Sequence, residues 1–138
     1  MLPARINLDV VTPERLVFSR EVEEMILPGS EGYLGVRPGH TPLLAGLGIG
    51  ILSWRRGSAT EFMAVARGFA EVLPDRVTVL AETAELAGEV DLGRAQAALE
   101  RAKEKIAGAG EAGTNFRRAR AALLRAATRV NVANRRSR

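Results

Sequence analysis

The period of the hydrophobic pattern changes once along this chain of 138 residues, close to residue 88. Before the change, apolar side chains alternate with polar ones, as in Ile6, Leu8 and Val10, and turn residues follow every ~8–12 positions. After it, apolar residues recur every third or fourth position, which is typical of a helix stripe: Leu92, Ala95, Leu99, Ala102 and Ile106. The sequence therefore predicts a β unit over residues 1–87 and a helical unit over residues 88–138.

The helical unit contains a second stripe with the same spacing: Phe116, Ala119, Leu123, Ala126, Val130 and Ala133. A glycine-rich segment over residues 108–113 separates the two stripes, and Asp91 stands where its side chain can cap the first helix. This pattern predicts an antiparallel two-helix hairpin. Alanine dominates both stripes and buries little area, so we expect a weakly packed hairpin that can detach or re-dock.

In the β unit, the longest alternating run extends through residues 47–54. Its pattern predicts that Leu47, Ile49 and Ile51 face one way and that Leu52 and Trp54 face the other. Short runs of this kind, separated by turns, indicate an all-β sandwich or barrel.

Residues 27–50 hold seven of the fourteen glycines, together with the only tyrosine, Tyr33, and the only histidine, His40. The glycine spacing fits neither of the two common phosphate-loop patterns, and no helix follows it. Tight turns explain these glycines better, because glycine accepts positive φ without steric cost. One histidine between two prolines completes neither a catalytic triad nor a metal cluster, so we expect His40 to be a loop residue.

The net charge of +4 is divided unevenly between the two units. Residues 1–87 carry 8 basic and 11 acidic side chains, a net of −3, whereas residues 88–138 carry 12 and 5, a net of +7. From Arg117 to Arg138 there are eight arginines and no acid, which predicts an anionic partner: an acidic protein surface, a nucleotide or a nucleic acid. Nucleic acid is disfavoured because Phe116 is the only aromatic residue of this unit.

Several classes are excluded or disfavoured. The chain has no cysteine, hence no disulfide framework, thiolate zinc site or cysteine nucleophile. No acid–base pair or nucleophile stands out, so we predict no catalytic residues, no metal site and no enzymatic activity. No apolar run reaches the ~18 residues of a membrane span and no signal peptide is apparent, so we expect a soluble chain that meets a membrane only through partners.

Two long segments resemble the epsilon subunit of bacterial rotary (F-type) ATP synthases. They are LDVVTPERLVFSREVEEMILPGSEGYLGVRPGHTPLLAGLGIGIL, with its core GSEGYLGVRPGHTPLL, and RGFAEVLPDRVTVLAETAE. The resemblance implies a β + α fold: an N-terminal β-sandwich of two five-stranded sheets over residues 1–87, and an antiparallel helical hairpin over residues 88–138.

The resemblance also implies a role in a complex. Subunits of this family are non-catalytic parts of the central stalk, bound to the gamma subunit and the c-subunit ring, on the cytoplasmic side of the bacterial cell membrane. The turn region of the family that lies toward the c ring corresponds to Glu31, Tyr33 and His40. The ATP synthase of the family is proton-translocating. The family's C-terminal hairpin can extend into the alpha/beta catalytic head and inhibit ATP hydrolysis.

Some members of the family bind ATP as a regulatory ligand through a motif I/L-D-x-x-R-A. Here the matching stretch runs from Val90 to Ala95 as VDLGRA, and it includes Asp91 and Arg94. The family's further site residues correspond to Glu85, Arg101, Arg125 and Arg129. The resemblance thus implies a possible ATP site and no required cofactor. Two alternatives stay open: a stand-alone nucleotide-binding regulatory module, and a polyanion-binding protein that uses the arginine-rich helix.

Overall fold

A computed structural model describes residues 3–109 and 113–135, which form seven strands followed by two helices. The elements are β1 (Ile6–Val11), β2 (Leu16–Val22), β3 (Glu24–Gly29), β4 (Gly32–Val36), β5 (Leu43–Arg56), β6 (Ala59–Val72), β7 (Arg76–Leu86), a short 3-10 turn (Ala87–Glu89), α1 (Leu92–Gly108) and α2 (Thr114–Arg135). The strands form a single hydrogen-bonded sheet in the order β2-β1-β7-β6-β5-β3-β4.

The prediction of two separate five-stranded sheets is therefore wrong in its number of sheets. The pairing of the three longest strands is interrupted at Gly48 of β5, Arg67 of β6 and Glu82 of β7, which have no partners in the ladders. These three positions lie side by side and mark one level across the sheet. On one side of this level β1 pairs with β7, and on the other side β3 forms most of its pairs with β5. Because the long strands cross the level, each of them contributes to two layers of one bent sheet.

Each layer consequently contains five strand segments. The first layer consists of β2, β1 and residues 76–81, 68–72 and 43–47 of the long strands. The second layer consists of β4, β3 and residues 49–56, 59–66 and 83–86.

The bend depends on two consecutive residues with positive φ, Arg67 at 55° and Gly68 at 131°. It reverses which side chains of a strand face the core, so that Leu47, Leu52 and Trp54 all belong to one buried cluster. The predicted separation of Leu47 from Leu52 and Trp54 is therefore wrong, because strict alternation holds only along an uninterrupted strand.

The two layers face each other across this core. Phe18 of β2 and Trp54 of β5 are separated by three strands in the sheet order, yet their ring centroids are 4.4 Å apart. Trp54 is 1% exposed and is the only tryptophan of the chain. Its burial is direct evidence that the bent sheet closes into a sandwich.

The two predicted helical stripes are confirmed, and their alanines are the residues that become buried. Ala95 and Ala102 are buried in α1, as are Ala119, Ala126 and Ala133 in α2. Ala95, near the start of α1, clusters with Ala133, near the end of α2, so the helices run in opposite directions. Asp91 caps α1 as expected, because its Oδ1 accepts a hydrogen bond from the backbone N–H of Arg94 at 3.1 Å.

Candidate functional site at the helix–sheet interface

Helix α2 packs on the outer face of the second layer, and α1 packs on α2. Small apolar side chains make most of this interface: Ala64, Ala87, Val90, Ala95, Val132 and Ala133, bordered by Ile51, Phe62, Leu92 and Val130. Since each buried CH₂ contributes only ~0.8 kcal/mol, and ordering the chain offsets part of it, docking of the hairpin is stabilised by a modest free energy.

Two arginines of α2 add polar contacts to the sheet. Arg129 donates to Glu85 of β7 in a bidentate pair, with Nε–Oε1 at 2.7 Å and Nη2–Oε2 at 3.3 Å. The guanidinium of Arg135 lies 5.2 Å from the ring centroid of Phe62 of β6, a cation–π contact. Both contacts form only while α2 is docked, so they specify one position of the helix.

The structure brings three of the eight predicted ATP-binding residues together. Glu85, Arg125 and Arg129 line a hollow of about 40 Å³ between α2 and the sheet, with Thr83 and Thr128 beside them. The other five lie outside this hollow. Val90 and Ala95 are buried in the interface cluster, Asp91 is engaged as the cap of α1, and Arg94 and Arg101 are exposed.

The chemistry of the hollow suits an anion, but its size does not suit a nucleotide. Among the described residues, Arg125 has no carboxylate within ion-pair distance, whereas Arg129 is engaged by Glu85. Pockets for drug-sized ligands measure ~300–1,000 Å³, far more than the hollow offers. A triphosphate could reach Arg129 only if α2 shifted and Glu85 gave up its pair.

The predicted contact residues Glu31 and His40 lie at opposite ends of β4. Glu31 is exposed in the turn before β4, and His40 lies in the loop after it. At ~3.4 Å per residue, the five-residue strand between them spans roughly 17 Å. The loop of His40 is held in place, since the N–H of Gly39 donates to the carbonyl of Pro74 at 2.7 Å.

Tyr33 has a structural contact that the sequence did not indicate. Its ring is exposed, but its hydroxyl accepts a hydrogen bond from the backbone N–H of Ile51 at 3.2 Å. Ile51 lies where the register between β3 and β5 shifts, so β3 offers this N–H no regular partner. Tyr33 thereby accepts the hydrogen bond of a backbone N–H that has no partner in the irregular ladder.

An ion-pair cluster beside the His40 loop was also missed by sequence reasoning. Arg55 of β5 bonds both Glu23 and Glu24, and Arg37 bonds Glu24 at 3.1 Å. Hydrogen bonds from the Gly57 N–H and from Arg55 hold the pKa of Glu23 below its usual value, and Arg55 lowers the pKa of Glu24. Only the register that places Glu24 opposite Arg55 reveals the cluster.

These lowered pKa values predict an acid-sensitive contribution to stability. A carboxyl group with a lower pKa in the folded state stabilises the fold while it is ionised, and this stabilisation is lost as the pH falls below the ordinary value of 4.5 through the folded pKa. We expect Arg55→Gln to lower the urea midpoint at pH 7 and to have a smaller effect at pH 3. The matched control is Arg56→Gln, whose ion pair with Glu61 is longer, at 4.0 Å. An equal loss at both pH values would contradict the prediction.

The described part of α2 also carries exposed arginines: Arg117, Arg118, Arg120 and Arg125. Within that part, Arg129 is the only arginine with an ion pair. Arg136 and Arg138, the last arginines of the predicted basic run, lie outside the described residues. The docked hairpin thus presents a basic surface to its surroundings.

Neither of the described helices is long and apolar enough to cross a membrane. Over residues 3–109 and 113–135, no group of three or more histidine, cysteine, aspartate or glutamate side chains is arranged to hold a metal ion.

Two family models match this chain over separate ranges. Residues 5–87 match the family model described as ATP synthase, Delta/Epsilon chain, beta-sandwich domain. Residues 89–134 match the model described as ATP synthase, Delta/Epsilon chain, long alpha-helix domain.

Relatives match almost the whole chain. ATP synthase epsilon chain 2 of Syntrophotalea carbinolica is 47% identical over 131 residues, covering 95% of this chain and 95% of the relative. ATP synthase epsilon chain of Syntrophobacter fumaroxidans is 47% identical over 129 residues, covering 94% and 96%. A chain in the structure of Euglena gracilis mitochondrial ATP synthase, OSCP/F1/c-ring, is 25% identical with a TM-score of 0.80, covering 97% of this chain and 84% of that chain. This chain therefore belongs to the ATP synthase delta/epsilon chain family.

Proposed function

We propose that this chain is a rotor subunit of the central stalk of a proton-translocating ATP synthase, with a sandwich that docks on the stalk and a hairpin that restrains ATP hydrolysis. Membership of the family makes it a non-catalytic subunit of ATP synthase rather than an enzyme. Its partners are the gamma subunit, the c-subunit ring and, through the hairpin, the alpha/beta catalytic head. It lies on the cytoplasmic side of the bacterial cell membrane and is held there by the complex.

The observation that carries the regulatory part is the way the hairpin is docked. Alanines and valines form most of its interface with the sheet, and one bidentate ion pair joins Arg129 to Glu85. Such an element can have two arrangements that differ by a few kcal/mol, so binding elsewhere can shift it. The exposed arginines of α2 provide the charge for an acidic surface on the catalytic head.

Removal of residues 91–138 tests this proposal. The truncated chain should still bind the catalytic head, but the ATPase activity of the assembled head should rise several-fold over the activity with the full chain. The control is a head reconstituted with the full chain in the same molar amount. Unchanged ATPase activity, with the truncated chain bound, would contradict an inhibitory role for the hairpin.

We further propose that ATP binds the folded hairpin as a regulatory ligand, with Glu85, Val90, Asp91, Arg94, Ala95, Arg101, Arg125 and Arg129 as the site. The convergence of Glu85, Arg125 and Arg129 on one hollow supports these three positions of the site. Since Glu85 already engages Arg129, the phosphates must compete with an internal carboxylate, and we expect weak binding. No cofactor is required by this function.

Titration calorimetry on the full chain checks the nucleotide site. Millimolar ATP should give heat of binding with the full chain, and Arg129→Gln should abolish it because a neutral amide cannot replace a guanidinium on phosphate. Arg120→Gln is the matched control, since Arg120 is exposed on the same helix and does not line the hollow. A chain that stays folded and gives no heat would remove ATP from the proposal.

The stand-alone alternatives explain less of the molecule. A nucleotide-binding module accounts only for the hairpin, and a polyanion-binding protein only for the arginines of α2. The two family models match both structural parts, and we expect no nucleic acid partner.

A further inference from the structure

The linker between the sandwich and the hairpin is tied to the first layer by one carboxylate, Glu89. This residue is the last of the 3-10 turn. Its Oε1 accepts a hydrogen bond from the backbone N–H of Leu86 at 3.0 Å, and its Oε2 accepts one from Nη2 of Arg15 at 2.7 Å. Arg15 lies in the turn between β1 and β2, 74 positions earlier in the chain. We call Glu89 with these two donors the latch.

The turn that carries Arg15 is itself fixed. The carbonyl oxygen of Arg15 accepts hydrogen bonds from the backbone N–H of Thr12 at 2.9 Å and from the Thr12 hydroxyl at 3.4 Å. Thr12 is buried, and the ring of the following Pro13 fixes φ at that position. Because the backbone of Arg15 is held in this way, its pair with Glu89 sets the position of the linker relative to the first layer.

The latch lies within the part of the linker that helix α2 needs for docking. Ala87 and Val90, on either side of Glu89, are 8% and 5% exposed. Both belong to the cluster between α2 and the second layer, together with Val132 of α2. A linker that left this path would withdraw both side chains from α2. Docking and the latch therefore require the same conformation of the linker, so each of them stabilises the other.

The hairpin begins almost directly after the latch. Asp91 caps α1, and only Val90 lies between it and Glu89, in an extended conformation with φ −76° and ψ 125°. With a single residue between them, the orientation of the 3-10 turn determines where α1 starts. Gly88, inside the turn, has no positive φ, and a Cβ there would meet no atom within 4 Å. The docked chain does not require glycine at this position, so what Gly88 adds is backbone freedom once the latch is open.

We propose that the latch controls the docking of the hairpin: the Arg15–Glu89 pair keeps the linker in its docking conformation, and loss of the pair shifts the hairpin toward the undocked arrangement. This inference rests on the proposed function and assigns a residue pair to the control of its two-state element. The side chains of Arg15 and Glu89 are 54% and 38% exposed, so the contribution of the pair is small and depends on salt. A small contribution has an effect here because the alanine-rich interface docks the hairpin only weakly.

Amide hydrogen exchange on the full chain tests the latch without any partner. Arg15→Gln removes the charge that Glu89 meets, and exchange over residues 126–133 of α2 should accelerate roughly two- to fivefold, as expected for an exposed ion pair. Glu89→Ala removes the acceptor of both hydrogen bonds and should accelerate this exchange further. Salt at ~0.5 M should accelerate exchange of α2 more in the wild type than in Arg15→Gln, since the variant has no pair left to screen.

Arg5→Gln is the matched control. Arg5 pairs with Glu21 of the first layer at 3.7 Å, and both side chains are 63% exposed, so the variant removes a comparable surface pair that does not involve the linker. It should leave exchange of α2 unchanged. The variants Arg15→Gln, Glu89→Gln and their combination complete a mutant cycle. Glu89→Gln keeps an oxygen for the Leu86 N–H, so the cycle isolates the pair, and the two effects should be less than additive.

The outcomes separate this inference from the proposed function. Unchanged exchange of α2 in both Arg15→Gln and Glu89→Ala would overturn the latch, whereas the ATPase effect of removing residues 91–138 would still decide the role of the hairpin. Equal acceleration in β5, β6 and α2 would show that the pair stabilises the whole sandwich, and the inference would be wrong. Acceleration confined to the linker and the hairpin supports the latch, even if removal of the hairpin leaves the ATPase activity unchanged and the regulatory function fails.

Discussion

Gly68→Ala should destabilise the sandwich by at least ~3 kcal/mol or prevent it from folding. A Cβ at this position would overlap the carbonyl oxygen of Leu80, and the φ of 131° is one that side-chain-bearing residues rarely adopt. Neither problem can be relieved locally, because Gly68 and Ala81 are paired at the bend that all three long strands share. The urea midpoint, followed by fluorescence of the single tryptophan Trp54, measures the effect.

Two other glycines provide matched controls for this prediction. Gly57→Ala also introduces a side chain at positive φ, 62°, but into open space, and should cost only ~1 kcal/mol. Gly35→Ala meets no atoms within 4 Å and has no positive φ, so it should be close to neutral. If Gly68→Ala were as stable as Gly57→Ala, the strain at the bend would not be what fixes the two layers.

Val132→Asp should release the hairpin from the sheet while the sandwich stays folded. Val132 is 0% exposed in the cluster between α2 and the second layer. A carboxylate at this docked position would therefore have no contact with water. Burial of an unpaired carboxylate costs several kcal/mol, comparable with or above the modest free energy that docks the hairpin, so undocking is the less costly response. Amide hydrogen exchange along α2 should accelerate strongly, whereas exchange in β5 and β6 and the melting of Trp54 should change little.

Asn131→Asp is the matched control, since it adds the same charge one position away on an exposed site. Its exchange pattern should resemble that of the wild type. Unchanged protection of α2 in Val132→Asp would show that the hairpin is held by more than the cluster and the Glu85–Arg129 pair. Because the variant keeps the chain at full length, its ATPase effect in the assembled head also distinguishes undocking from removal of the hairpin.

The docked hairpin combines two features with opposite consequences. The same Glu85 carboxylate that fixes α2 through Arg129 also occupies the guanidinium that a phosphate would need. Docking without nucleotide and strong nucleotide binding are therefore alternatives at this position. The calorimetric experiment measures nucleotide binding, and the Val132→Asp experiment measures docking of the hairpin.

Local features of the sequence predicted the local features of the fold. The cap at Asp91 and the alanine stripes of both helices follow from spacing and side-chain chemistry within a few residues. The division into a β part and a helical part follows from the change in hydrophobic period, and the epsilon-type resemblance rested on long ordered segments. These inferences needed no knowledge of which strands are neighbours.

Tertiary structure decided everything that depends on register between distant strands. The reversal at Arg67 and Gly68 places Leu47 in the same core as Trp54, and no local sequence pattern predicts this reversal. The Glu24–Arg55 pair joins positions 31 residues apart, and the Glu85–Arg129 pair joins positions 44 apart. The sequence by itself determined the change from strands to helices and the buried stripe of each helix, because hydrophobic period and capping act over a few residues. The layers and the ion pairs were decided by long-range pairing, in which a shift of one residue turns every side chain to the other face.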